Sequence, residues 1–92
     1  MLPGHPQEDS SRAPTRRYFF DVHEGDVLIQ DHEGTEIDGG PDAVAEEAAR
    51  ILVVLAKDRL PGAKQRDMAV FVRTETGPVL NTTLSFLVER PS

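Results

Sequence analysis

The chain has 92 residues, a formal net charge of -6 and no cysteine. That length supports one domain with a thin stability margin, and the missing thiols exclude disulfides, thiolate nucleophiles and sulfur-ligated zinc, as suits a reducing cytoplasm. The acidity argues against nucleic-acid phosphates as a partner unless the few basic residues gather on one face.

Residues 1–15 hold Pro3, Gly4, Pro6 and Pro14 among polar residues without a hydrophobic period. This predicts a disordered tail ahead of a single domain over residues 16–90. No basic start leads into an apolar run, and no window reaches the ~18 apolar residues of a membrane span. A soluble, cytoplasmic protein without membrane contact is expected.

From Arg16 onward, Tyr18, Phe20 and Val22 alternate with Phe19, Asp21 and His23, the period of a strand with two distinct faces. Glu24-Gly25-Asp26 turns the chain into a second short strand, Val27 to Ile29. Asp31-His32-Glu33-Gly34 reads as another tight turn, after which Thr35 to Asp38 returns as a third short strand.

A helix is predicted from about Pro41 to Leu60. Pro41 suits its first position, Asp42, Glu46 and Glu47 complement its positive end, and Lys57 and Arg59 its negative end. Pro61-Gly62 stops it. Two more strands follow, one through Met68, Val70 and Val72, the other through Leu80, Thr82, Leu84, Phe86 and Val88, joined by Glu75-Thr76-Gly77-Pro78. The expected fold is α+β: a small antiparallel sheet of about four strands, in the order β-β-(β)-α-β-β, with one helix on one face.

The helix is apolar over more of its circumference than one sheet requires. Val44, Ala48, Ile51, Leu52 and Leu55 share one face, while Ala45, Ala49, Val53, Ala56 and Leu60 widen the arc to roughly 200°, against the ~100° that a single contact needs. A four-stranded sheet roughly 19 Å wide also exceeds a helix about 10 to 12 Å across. Ala45, Ala49, Val53, Ala56 and Leu60 are therefore the expected interface of a homodimer. Within one chain, the alternative cover for this flank is Val27 to Ile29 or Ala63.

The chemical motifs are incomplete. Asp21, His23 and His32 are the residues on which a metal-assisted or acid-base enzyme would rest, within an acidic stretch running to Asp38. Neither His23-Glu24 nor His32-Glu33 continues as a zinc-protease helix, the calcium-loop glycine is misplaced, and no phosphate-binding glycine pattern occurs. Asp, Glu and Gly at these positions suit turn geometry. No catalytic residue, cofactor or metal ligand is assigned.

On the sheet face away from the helix, the alternation places Phe19 and Phe71 with Arg17 and Arg73. Aromatic rings among arginines on an open sheet stack unpaired RNA bases in some small domains. The RNA-recognition motif is missing and the net charge is of the wrong sign, so these four residues are expected to meet a protein partner.

Arg17-Tyr18-Phe19-Phe20-Asp21-Val22-His23-Glu24-Gly25-Asp26, then Asp31-His32-Glu33-Gly34-Thr35-Glu36 and an Ala-rich helix, resemble a family of small uncharacterised domains common in rhizobia and related alphaproteobacteria. The resemblance spans Arg16 to about Glu89. In that family the turn commonly reads Asp-Glu-Glu-Gly, and His32 replaces its middle acid here. It implies a bacterial cytosolic setting and brings no activity, substrate or catalytic residue with it. The order of elements, with Ala43, Glu46, Glu47 and Ala48 at the helix start, is also similar to antitoxin domains of the HicB type, a likeness of fold. It implies an antitoxin-like regulatory role with a basic protein partner.

Overall fold

The computed structural model describes residues 15–91. β1 (Thr15–Glu24) buries Tyr18 and Phe20 and turns Phe19 and Asp21 to the other side, as its alternation dictates. Gly25, at φ 59°, makes the tight turn into β2 (Val27–Ile29). β3 (Thr35–Asp38), α1 (Pro41–Arg59), β4 (Gln65–Thr74) and β5 (Gly77–Leu87) follow. Among the described residues the architecture is the expected α+β one, an antiparallel sheet with five strands and one helix between β3 and β4. The tail expected over residues 1–15 lies outside the described residues except for Thr15, which starts β1.

Across the sheet the order is β2, β1, β4, β5, with β3 also paired to β1. Backbone groups along a strand alternate between its two neighbours. The Gly25 amide bonds the Asp67 carbonyl of β4, so odd-numbered groups of β1 face β4 and even-numbered ones face the opposite edge. The Phe20 amide meets the Asp31 carboxylate, and the Tyr18 carbonyl lies against Gly34. β3 therefore continues the edge that β2 begins. The turn expected at Asp31–Gly34 does not send the chain back: β2 and β3 both run antiparallel to β1. It is an insertion within one broken edge strand.

The register gives the size of that insertion. Val22 pairs with Ile29 and Tyr18 with Thr35, so three residues of β1 (19–21) face five on the edge (30–34). β3 and β4 are parallel to each other with β1 between them, which makes α1 a crossover above the sheet.

The core joins Tyr18 and Phe20 of β1, Val44, Ala48 and Leu52 of α1, and Met68, Val70 and Val72 of β4. Each large apolar side chain sealed there contributes roughly 1.5–3 kcal/mol. β5 supplies only half-buried Leu80 and Leu84 to its margin. At the helix start Gly40 offers no side-chain cap, and Pro41 stands where an amide proton would be unpaired anyway. The far end is pinned to β1 by Arg59, which reaches the Glu24 carboxylate at 3.0 Å, and Arg66 of β4 meets the same carboxylate at 3.4 Å.

The burial of α1 is graded around its circumference. Val44, Ala48 and Leu52, four residues apart, are buried; Ala45, Ala56 and Leu60 are half-buried; Ala49 is exposed and Val53 is 57% exposed. Val27, Leu28 and Ile29 do not cover this flank. Each is more than half exposed, on the edge strand beyond β1.

Candidate functional site

The outer face of the sheet gathers the four residues expected there. Phe19 pairs directly with Arg73 across β1 and β4, and Asp21 with Phe71. The Arg73 guanidinium lies 4.6 Å from the Phe19 ring centroid, a cation–π contact. The His23 and Phe71 rings stack at 4.1 Å between centroids. Phe71, 37% exposed, is the more open of the two phenylalanines. A shallow hollow beside them is lined by His23, Asp67, Ala69, Thr83 and Ser85.

Both arginines of this surface are engaged by acids. The Arg73 Nε donates to Asp21 Oδ2 at 2.8 Å, and its Nη2 donates to the Asp31 carbonyl at 2.9 Å. Arg17 donates to the Glu33 carbonyl at 2.7 Å and to Glu36 Oε2 at 3.1 Å. Their charge is balanced within the chain, which leaves little attraction for phosphate.

Asp31 organises the insertion. Where the edge strand breaks, the Phe20 amide would lack an acceptor, and Asp31 Oδ2 takes it at 3.0 Å. Asp31 Oδ1 accepts from the Gly34 and Glu33 amides at 3.0 and 3.2 Å, closing an Asx-type turn. Its own amide donates to Asp21 Oδ1 at 2.9 Å, so the two carboxylates are linked through one backbone group. Gly34, at φ 77°, completes the loop: an added Cβ would lie 2.8 Å from the Arg17 Cγ and 3.0 Å from the Tyr18 carbonyl oxygen.

These contacts set the protonation of the pair. Burial pushes Asp21 up, but the Arg73 hydrogen bond, the Asp31 amide and the nearby charges of Arg73 and His23 outweigh it and hold the carboxyl below its ordinary value. Burial likewise raises Asp31, as does the Asp21 charge, and the amides of Gly34, Phe20 and Glu33 bring it below the usual range. Both remain anionic structural acceptors.

The residues considered for acid-base or metal chemistry separate accordingly. Asp21 is committed to Arg73 and Asp31, the His23 ring packs on Phe71, and His32 is exposed on the insertion. Among the described residues, no group of three or more His, Cys, Asp or Glu side chains is arranged to hold a metal ion. The role of Asp31 is local and escapes a motif reading because Asp-x-x-Gly marks simple turns equally well.

The expected dimer residues form the graded flank of α1, with Ala49 and Val53 outermost. Among the described residues, no helix is long and apolar enough to cross a membrane.

Comparison with known proteins gives one assignment. The sequence model of a family described as a domain of unknown function (DUF6894) matches residues 17–85, from the arginine that clasps the insertion to the outer strand. No curated protein and no solved structure matches the chain.

Proposed function

The chain belongs to the DUF6894 family, a domain of unknown function, and for it we propose a non-catalytic role as a protein-interaction module that acts as a homodimer. The observation that carries the reading is the open flank of α1, where Val53 is 57% exposed beside exposed Ala49 and half-buried Ala45, Ala56 and Leu60. A second copy covers that flank and thickens a core that β5 only half closes. Phe19 and Phe71, framed by Arg17 and Arg73, form a second, outward surface for an unidentified protein partner. The neutralisation of Arg73 by Asp21 and of Arg17 by Glu36 favours protein over nucleic acid there. The setting that goes with this reading is a bacterial cytosol.

Light scattering at high micromolar concentration tests the homodimer. The wild-type chain is expected to run at twice its monomer mass, and Ala49→Glu or Val53→Glu to run as a folded monomer by circular dichroism. A monomeric wild type, or dimers from both variants, overturns this interface.

A further inference from the structure

We infer that the outer edge of β5 pairs with β5 of a second copy, antiparallel about a two-fold axis at Thr83. The pairing joins two sheets into one and sets two α1 helices side by side. It rests on the homodimer reading above and names its interface.

The backbone is prepared for it. The Val88 amide bonds the Lys64 carbonyl at 2.8 Å, which assigns the even-numbered groups of this strand to β4. By alternation, the amides and carbonyls of Asn81, Thr83, Ser85 and Leu87 face away from β4. Among the described residues, β5 is paired to β4 alone.

Charge selects the occupant. Residues 76–88 carry no ionisable side chain, in a chain whose formal net charge is -6. The net negative charge opposes the approach of two copies, and the repulsion is least where two β5 strands without ionisable side chains meet. Free edges are ordinarily guarded by charge, proline or bulges. Here the guards are Pro78 and a register shift in the β4–β5 ladder beside it, both at one end of the strand.

α1 packs on β4 and β5, and also on β3 beyond β1, so its flank on the β5 side lies toward the free edge. A right-handed crossover from β3 to β4, the hand of about 98% of such connections, turns Ala45, Ala49, Val53 and Ala56 toward β5. The same axis therefore turns the strand edge and the helix flank toward the copy. Beneath the helices, Leu80 faces Phe86 of the copy and Thr82 faces Leu84.

Single cysteines test the axis without a background, because the chain contains none of its own. At an axis through a hydrogen-bonded pair, the two Thr83 Cα atoms lie ~5.5 Å apart, inside the range of a disulfide. Asn81 lies ~13 Å from its own copy and serves as the control. Expected are a disulfide-linked dimer for Thr83→Cys on mild oxidation, none for Asn81→Cys, and a dimer Kd raised more than about tenfold by Thr83→Lys, with far-UV circular dichroism unchanged. A wild-type dimer with no Thr83→Cys cross-link and no response to Thr83→Lys overturns the edge pairing and leaves the homodimer reading standing. A monomeric wild type overturns both.

Discussion

On the side of β1 away from β4, five residues stand where three would complete the ladder, and their Asp31 carboxylate takes three backbone amides. On the far side of the sheet, β5 runs eleven residues and, among the described residues, makes its ladder to β4 alone. The first edge spends acids, arginines and a constrained glycine on its own closure, while the second carries no charge between residues 76 and 88. An edge interrupted in this way is a poor template for another strand, whereas a long neutral edge is a good one. The contrast separates residues that serve the fold from those available to a partner.

The contrast is broken most strongly at Asp31. Asp31→Ala leaves three amides without their carboxylate and is expected to cost about 3 kcal/mol in urea denaturation. Asp31→Asn sharpens the result: its amide group would oppose either the Phe20 donor or the loop donors, so it recovers only part of the loss. A cost below about 1 kcal/mol for Asp31→Ala would show that the insertion is held by something else.

Glycine substitution gives a smaller effect and an internal control. Gly34→Ala meets Arg17 and the Tyr18 carbonyl at a positive φ and is expected to cost about 2 kcal/mol. Gly25→Ala has a positive φ but open space around its added methyl, so about 1 kcal/mol is expected. Equal losses would remove the close packing of the insertion from the account.

The mildest perturbation is acid. Asp21 and Asp31 are both held below their ordinary values, so the unfolded chain gains protons first as pH falls through about 3.9. Stability from these groups is fully present above that point and declines as pH drops through the lower folded values. Denaturation midpoints between pH 6 and pH 2 are expected to show the decline in the wild type and a shallower one in Asp31→Asn.

Much of the framework is legible in the amino-acid order because local periods determine it. Tyr18, Phe20 and Val22 announce one face of β1, Val44, Ala48 and Leu52 the buried face of α1, and Pro41 and Pro61 the helix limits. The continuation of β2 into β3 is less legible, since Asp31-His32-Glu33-Gly34 carries the chemistry of a reversing turn. Only the partner strand shows that the chain goes straight on. The Arg73–Asp21 pair spans 52 residues and depends on the β1–β4 register, which neither segment states alone. Asp21 and His23 share a strand face, yet Arg73 and Phe71 determine what each one touches.

The central place of β1 also orders events in time. As the chain leaves the ribosome, Thr15–Glu24 emerges first among the strands and can bond at once to the segment that closes within the next fourteen residues. Its other side must wait for Gln65–Thr74. Until then the nascent domain has a naked interior strand, and any holdase that recognises extended apolar chain would find Tyr18, Phe20 and Val22 presented to it.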